Sequence, residues 1–474
     1  MSERHVRPGM VYTIKPINLE KCITPGKSSR GFLFGHNVER IPMEERGKIS
    51  FVAAVLMNIN IIVGSGIYFA PQLMAQQTGG TSFLGWILAG LLLLPIVLTI
   101  AQAARIFPGE GGFYNYCKTA LGSNAGFIAN WAYLLGYMGT VATITSVVRD
   151  RLIADPIGLT FVHDYPIVFY ILFMLAITLL NMLSLQLISK IQSSITLLKL
   201  LPLITMIGLI YFYWNPNFDY QLYKAVDLGG TIPLAIFAFL GFESCCNISH
   251  YIQGGTTMVF KVILLAFSIS TCLYTIFHLG MLHIMGTEAL AVYGVHAFPL
   301  YLGYSESVVK ILSLVLLGDM MLSFINTAYG ASLGNIANMN ILAKDGLVFK
   351  SKFLAKLNSN GMPAHAAFVH GIVIIALVLF IPSTITLSAV TILGICVTFF
   401  LTLLAVFVQS WRQKAFGSLV MAALAFLSLG ALLYFTWTTK LGDTTLERLL
   451  YASPLIIGIP AGFLMYKWVT KKKA

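Results

Sequence analysis

Long apolar stretches recur along the chain and constrain its fold more than any other feature of the sequence. About twelve can be placed, at roughly 49–75, 83–104, 122–148, 165–187, 190–214, 229–252, 258–285, 306–335, 364–382, 384–410, 415–438 and 449–469. Most are long enough for a helix to cross about 30 Å of hydrocarbon. Only 10% of the 474 residues are charged, against about 25% in soluble domains. Because lipid offers no partner to free backbone groups, these stretches are expected to be helical. The sequence therefore predicts an all-α polytopic membrane protein with about twelve transmembrane helices.

The net charge of +12 is spread unevenly along the chain. Lysines and arginines are concentrated in the first 48 residues, around 344–356 and at the C-terminal 471–473. Since basic loops mark the cytoplasmic face, we expect both termini to be cytoplasmic, with the basic residues near anionic lipid headgroups. This distribution argues against nucleic acid as a partner.

The polar and apolar parts of the chain divide it into a tail and a membrane domain. Residues 1–48 lack a helical period and are expected to form a flexible cytoplasmic tail. The tail has no short apolar core, so we expect the first apolar stretch to act as an uncleaved insertion signal. Residues 49–470 are expected to form one transmembrane domain. None of the six cysteines shows CxxC spacing, so no disulfide, metal site or cofactor is predicted.

Two apolar stretches are interrupted near their middle. The first is broken at Gly64-Ser65-Gly66 and the sixth at Gly241-Phe242-Glu243. Corresponding interruptions in two halves of a chain indicate an inverted-repeat transporter and point to its substrate site. The simpler alternative is that the glycines only allow helices to pack closely.

The two breaks offer backbone groups of opposite polarity. The N–H groups that start the helix after the first break suit a carboxylate, and the Ser65 hydroxyl adds a donor. Carbonyls from Phe237 to Leu240, at the end of the helix before the second break, suit an ammonium group. A zwitterion held between the breaks is the predicted ligand. The rings of Phe237 and Phe242 either contact its side chain or belong to ordinary packing.

Three charged side chains lie inside the apolar stretches, where ionised groups are costly and usually functional. Glu243 is expected either to carry a proton or to fix the broken backbone. Lys199 lies about 13 Å along a helix from Lys190, so we expect it to be buried against carbonyls, an acid or water. The alternative is a later helix start, with Lys199 reaching the headgroups. Asp319 is either a second titrating group or a partner of Lys310.

Four stretches of the sequence resemble bacterial amino acid permeases and exchangers of the amino acid–polyamine–organocation (APC) superfamily. They are GSGIY at 64–68, FPGEGGFYNYCKTALG at 107–122, FAFLGFES at 237–244 and ILAKDGLVFKSKFLAKLNSNGMPAHA at 341–366. The resemblance implies a bacterial inner-membrane protein with the LeuT-type fold. In that fold, residues 49–214 would form a first five-helix repeat, 229–410 an inverted second repeat, and 415–469 two additional helices. Helices 1 and 6 would be discontinuous.

The resemblance also implies a set of substrate contacts. In similar exchangers the substrate carboxylate meets a serine hydroxyl and a glycine N–H, here Ser65 and Gly66. The ammonium meets carbonyls that match Ile62, Phe237 and Leu240. The predicted substrate-binding residues are Ile62, Gly64, Ser65, Gly66, Phe237, Leu240, Gly241 and Phe242.

Two coupling residues follow from the same resemblance. The acid at the position of Glu243 is linked in relatives to proton or gating events. Lys199 looks like a lysine that, in some members, places its ammonium where sodium-coupled relatives bind sodium, which implies sodium-independent transport. The segment SHYIQGGTTMVFK at 249–261 lacks the charges and proline that the family commonly has there, so closure at the cytoplasmic side is expected to differ.

The sequence thus predicts a secondary transporter, not an enzyme, that moves an amino acid by alternating access. It would work by exchange or by proton symport, as a monomer or a homodimer. A polyamine or organic cation carrier is an alternative. Such a carrier would need carboxylates in its pocket, and the sequence offers Glu243 but no convincing second carboxylate. An amino-acid sensor that does not transport is the other alternative.

Overall fold

The chain is almost entirely helical over the residues that the computed structural model describes, which are 48–153, 157–218, 220, 228–439 and 444–472. The predicted tail, apart from Lys48, lies outside these residues. Helices α1 to α17 span, in chain order, Phe51–Ile62, Gly66–Thr78, Leu84–Ile106, Phe113–Leu121, Ser123–Ile153, Thr160–Asp164, Pro166–Leu180, Leu185–Tyr213, Leu228–Phe239, Thr256–Met285, Thr287–Tyr293, Glu306–Lys344, Ser351–Leu354, Ala364–Phe380, Thr384–Arg412, Phe416–Thr439 and Thr445–Lys471. Short 3-10 helices span Ser244–Cys246, Ser249–Tyr251 and Val295–Tyr301.

The helices agree with the apolar pattern of the sequence. Eight described helices are long and apolar enough to cross a membrane, and α1 with α2 makes a ninth as one bent span. Shorter apolar helices cover Pro166–Leu180, Leu234–Cys246 and Ala364–Phe380. Every predicted stretch contains one of these helices, so an all-α polytopic fold is confirmed. The number of twelve crossings and the inverted relation of the two repeats stay predictions.

The first apolar stretch bends by 43° between α1 and α2. Helix α1 begins after Ser50, whose hydroxyl caps it by accepting from the N–H of Ala53 at 3.3 Å. It ends at Ile62, and α2 starts at Gly66. The polar and glycine residues at 64–66 interrupt the apolar run at this point, where side chains from other helices accept or donate the hydrogen bonds that the backbone lacks.

The sixth stretch does not resume as an α-helix after its break. Helix α9 ends at Phe239, and the chain continues through turns and the 3-10 helices at 244–246 and 249–251. Gly241 has a φ of +115°, which side-chain-bearing residues rarely adopt. A Cβ there would also lie 2.7 Å from Cγ2 of Ile61. The 16 residues between α9 and α10 contain turns and two short 3-10 helices in place of a second α-helix.

The break segments lie between two groups of helices. On one side α2 packs against α9, and α1 packs against α10. On the other side α5 packs along α15 and also contacts α12. This arrangement places both breaks at the boundary between the two groups.

Candidate substrate site

A cavity lies beside the first break and reaches the end of α9. It holds about 600 Å³ of unfilled space, part of which is open solvent. Of the predicted substrate-binding residues, Ile62, Gly64, Ser65, Gly66, Phe237 and Leu240 line it. The opposite wall comes from α5, α12 and α15 and consists of Tyr137, Thr140, Thr143, Ile144, Thr327, Thr391 and Ile395.

Unpaired backbone donors lie at the start of α2. Within the described ranges, the N–H groups of Ser65, Gly66 and Ile67 donate to no protein acceptor. Ser65 makes no side-chain cap to its own helix, so its hydroxyl is also available. Three N–H groups and a hydroxyl at the positive end of a helix are suited to an anion.

Gly66 also has a packing role that the sequence reading treated as the alternative explanation. A Cβ at Gly66 would lie 2.3 Å from Cβ and 2.8 Å from Cα of Ala238. Helices α2 and α9 therefore approach more closely than any larger residue would permit. The close packing and the open N–H group are present at the same glycine.

The carbonyls predicted to bind an ammonium are only partly available. The Ile62 carbonyl accepts from the N–H of Gly64 at 2.8 Å and lies 2.7 Å from the Tyr274 hydroxyl. The Phe237 carbonyl accepts from the N–H of Leu240 at 3.3 Å. The Leu240 carbonyl accepts from no described residue, so among the three it is the best placed to receive a new donor.

Tyr274 on α10 connects the two breaks and was not singled out from the sequence. Its hydroxyl lies 2.7 Å from the carbonyl of Ile62 and 3.1 Å from that of Ala238. The ring is fully buried and packs against Trp86 and Phe239. In the sequence, Tyr274 is visible only as a single tyrosine in an apolar stretch. The residues that it bonds to are distant along the chain.

Glu243 holds the second break in place. Its Oε2 accepts from the N–H of Gly241 at 3.1 Å, and its Oε1 accepts from the hydroxyls of Tyr137 at 2.7 Å and Tyr133 at 3.3 Å. The side chain is fully buried. Three donors around one carboxylate favour the hypothesis that Glu243 fixes the backbone, and Tyr137 connects it to the cavity wall.

Asn58 on α1 also holds this break, and the sequence reading missed it. Its Nδ2 donates to the Phe242 carbonyl at 2.8 Å, and its Oδ1 accepts from the Ser244 hydroxyl at 2.8 Å and the N–H of Cys245 at 3.3 Å. A polar residue before the first break was visible in the sequence. Its role became clear only when the fold placed the second break beside it.

Gly241 and Phe242 do not line the cavity. The ring of Phe242 is fully buried and packs against Phe267 and Phe399, with centroid distances of 5.9 and 5.7 Å. Gly241 lies against Ile61. The structure thus gives both residues a role in shaping the break, and places neither of them where a ligand in this cavity would contact it.

Lys199 is fully buried on α8, which rules out the headgroup alternative. Its Nζ donates to the Asn60 carbonyl at 2.9 Å, the Asn60 Oδ1 at 2.7 Å and the Val63 carbonyl at 2.6 Å. The hydroxyls of Ser323 and Thr327 donate to the same two carbonyls at 3.1 and 3.0 Å. The ammonium thus occupies a cluster of oxygens at the end of α1, and all three of its protons have acceptors.

Asp319 does not pair with Lys310 among the described residues, so one of the two alternatives considered from the sequence is wrong. It is buried on α12, and its Oδ2 accepts a short hydrogen bond from the hydroxyl of Tyr68 on α2. Lys310 forms no ion pair among the described residues.

The second and fourth family-like stretches meet at one end of the bundle, which we call the Lys344 end. Lys118 donates to Asp345 Oδ2 at 2.8 Å, Tyr114 donates to the same oxygen at 2.6 Å, and Lys344 lies 3.7 Å from Glu110. Burial and the bond to Asp345 raise the pKa of Tyr114 to about 12. Hydrogen bonds to Asp345 and Tyr114 raise the pKa of Lys118. Because the Lys118–Asp345 pair is 42% and 39% exposed, it adds little stability.

Backbone pairing joins the start of the described chain to the segment that departs from the family pattern. The N–H of Ile49 donates to the Tyr251 carbonyl at 2.7 Å, and the N–H of Gln253 donates to the Ile49 carbonyl at 2.9 Å. These bonds need no particular side chain. They show how this segment is held without the charges and proline expected there.

The family assignment rests on most of the chain. The family model described as "Amino acid permease" matches residues 49–460. The chain belongs to this family. The resemblance to the APC superfamily is therefore confirmed, and the family is one of transporters rather than enzymes.

Individual relatives are distant. The chain is 22% identical to the serine/threonine exchanger SteT of Bacillus subtilis (strain 168) over 53% of this chain and 58% of that protein. It is 24% identical to an aspartate-proton symporter of the same strain, over 53% and 50%. It is 26% identical to the human large neutral amino acids transporter small subunit 2, over 41% and 38%. The chain thus spans about half the length of the curated relatives it matches.

Proposed function

We propose that this protein is a sodium-independent secondary transporter of neutral amino acids that works by alternating access. The observation that carries the proposal is that Ser65 and Gly66, whose N–H groups have no acceptor among the described residues, line a cavity that contains no charged side chain among its lining residues. An amino acid carboxylate would meet these donors and the Ser65 hydroxyl. The ammonium would lie toward the Leu240 carbonyl.

The cavity wall supports a neutral substrate. Hydroxyl groups of Thr140, Thr143 and Thr391 alternate with apolar side chains such as Ile144 and Ile395. A polyamine or a dibasic amino acid would bring a second cation into this space, and no lining carboxylate is present to pair with it. The composition of the wall therefore favours the amino acid over the organic cation.

Sodium independence rests on the position of Lys199. Its ammonium already contacts the oxygens of Asn60 and Val63 that would otherwise be available to a hard cation. The Lys199 ammonium thus takes the position at the first break that a sodium ion would otherwise occupy. Exchange and proton symport are the modes that remain, and among the relatives one is an exchanger and another a proton symporter. We assign Glu243 a gating role, because its bonds join the second break to the opposite wall.

Purified protein tests the proposal in two steps. A thermal-shift screen against single amino acids and polyamines should show stabilisation by neutral amino acids only, since a ligand that binds the folded state raises its apparent stability. Uptake and counterflow of the stabilising amino acid into liposomes should then proceed without sodium. Ser65→Ala should weaken binding, and Ser305→Ala, an exposed serine at the start of α12, is the matched control.

Each outcome has a defined meaning. Stabilisation by polyamines in place of amino acids would favour the cation carrier. Binding without any counterflow would favour the sensor. Equal binding by Ser65→Ala and the unaltered protein would remove the carboxylate site from the first break.

A further inference from the structure

Asp319 is a buried acid that the substrate site does not use. It lies about 20 Å along α12 from the start of that helix, is 6% exposed, and does not line the cavity. Its Oδ2 accepts from the Tyr68 hydroxyl. Acids at such depth in a membrane protein are rare and mark proton or ion pathways.

The charged and titratable groups around Asp319 come from two neighbouring helices. Tyr68 on α2 binds it directly, and Lys199 on α8 acts on it electrostatically. Tyr274 on α10 in turn interacts electrostatically with Tyr68. Lys199 is the one cation among these groups.

Two further groups lie near α2 without contacting Asp319. Arg151 from α5 lies 5.0 Å from the ring centroid of Phe69. His296, in the 3-10 helix at 295–301, is influenced by Arg151. Neither acts on Asp319, so its charge is balanced by Lys199.

The protonation state of Asp319 thus sets the net charge behind the first break. With both groups ionised, Asp319 and Lys199 sum to zero. When Asp319 takes up a proton, the uncompensated ammonium of Lys199 remains beside the Val63 carbonyl, next to the N–H groups at 65–67. A net positive charge at that position attracts the carboxylate of a substrate.

Helix α12 contacts both sides of the first break, through Asp319 on one side and Ser323 on the other. Tyr68 belongs to the first turn of α2 and follows Gly66 by two residues. Ser323, one helical turn after Asp319 on α12, donates to the Val63 carbonyl at 3.1 Å. Helix α12, which carries the acid, is therefore held against the segment that would bind the substrate.

We propose that Asp319 is the proton-binding group of this transporter, and that its protonation and the binding of an amino acid favour each other. This inference rests on the proposed function. Because coupling between two sites is reciprocal, a proton that strengthens amino acid binding is itself bound more tightly when the amino acid is present. The two would then move together, which selects proton symport.

Equilibrium binding to purified protein between pH 5.5 and 8.5 tests this inference. The probes are tritiated L-alanine, L-threonine, L-leucine and L-phenylalanine, each measured singly. In the unaltered protein, Kd should rise with pH, by at most tenfold per unit for a single proton. In Asp319→Asn, which keeps an acceptor for Tyr68, Kd should stay low and vary less than twofold. Asp164→Asn, which removes an exposed acid, should behave as the unaltered protein.

A second variant keeps the test decisive if Asp319→Asn does not fold. Tyr68→Phe removes a hydrogen bond that favours the ionised carboxylate, so the midpoint of the Kd–pH curve should move to higher pH. An unmoved midpoint, or a pH-dependent Kd in Asp319→Asn, would overturn the assignment. So would a pH-independent Kd in the unaltered protein, although amino acid transport would still stand. If no probe binds at any pH, the proposed function fails and this inference with it.

Discussion

Replacement of Lys199 by methionine tests how the first break is held. Methionine has nearly the same length, but it removes the charge and all three hydrogen bonds to Asn60 and Val63. We expect the protein to fold and to bind amino acids more weakly, because the backbone that presents the open N–H groups loses its fixed partner.

The hydrogen bonds that remain in Lys199→Met set the size of this effect. The Val63 carbonyl keeps the Ser323 hydroxyl at 3.1 Å, and the Asn60 carbonyl keeps that of Thr327 at 3.0 Å. Asn60 Oδ1 keeps no donor among the described residues. One buried acceptor without a donor costs about 1–3 kcal/mol, which corresponds to about 5- to 150-fold in affinity if only the intact break binds substrate.

Binding and uptake in the presence and absence of sodium measure this effect. Lys190→Met, which removes an exposed lysine from the same helix, is the matched control and should leave both unchanged. Affinity of Lys199→Met within twofold of the unaltered protein would refute the reasoning. A sodium requirement in the unaltered protein would refute it as well.

Four further changes separate binding, packing, gating and the exposed Lys118–Asp345 pair. Ser65→Ala should lower amino acid affinity by about 2- to 10-fold at an unchanged melting temperature, whereas Gly66→Ala should lower the melting temperature, because its Cβ has no room. Glu243→Gln should reduce uptake while its pH profile keeps its shape, since the carboxylate is held by three donors; a flattened profile would make Glu243 the proton carrier. The pKa of Lys118 is raised, so its contribution is complete below about pH 10.5 and is lost only as pH rises above that value. Lys118→Met should therefore leave the pH profile of uptake between pH 5 and 8 unchanged, and a shifted profile would contradict this.

The positions of the breaks could be predicted because they are local events. Two glycines and a serine interrupt an apolar run at 64–66. A helix in lipid is interrupted only where other groups satisfy its free backbone groups. Lys199 was predictable on the same basis, since a cation about 13 Å along a helix has to find partners. In these cases the neighbouring residues in the sequence are enough to show that the helix is interrupted or that the charge needs partners.

The partners of these residues could not be predicted, because they come from distant parts of the chain. Asp319 stood out as an acid in an apolar stretch, but its contact with Tyr68 spans 251 positions. Asn58 and Tyr274 looked like single polar residues in apolar helices. Pairing of this kind depends on the tertiary arrangement of the helices, which periodicity does not encode.

The sixth stretch shows a different limit. Its apolar character continues to Ile252, which the sequence reading treated as one broken helix, yet the chain forms 3-10 turns after Phe239. Composition distinguishes membrane from water, but it does not distinguish a short 3-10 turn from an α-helix. That local conformation is stabilised by the bond that Asn58 donates to the Phe242 carbonyl and by the bond that Glu243 accepts from the Gly241 N–H.

The hydrogen bonds between the two helix groups explain why the three buried charges lie where they do. Helices α1, α9 and α10 are joined through Tyr274 on α10, whose hydroxyl donates to the carbonyls of Ile62 and Ala238. Glu243 bonds across the boundary to Tyr137 on α5, and Asp319 on α12 bonds across it to Tyr68 on α2, whereas Lys199 on α8 bonds to the end of α1.

Alternating access requires relative motion of such groups around a fixed site, and these are the bonds that must shift or break when it occurs. A charge placed there changes the free energy of the motion more than a charge placed inside either group. If the protein works as proposed, substrate and proton would control the same movement, because both would act on the segment 63–68, which lies at the boundary.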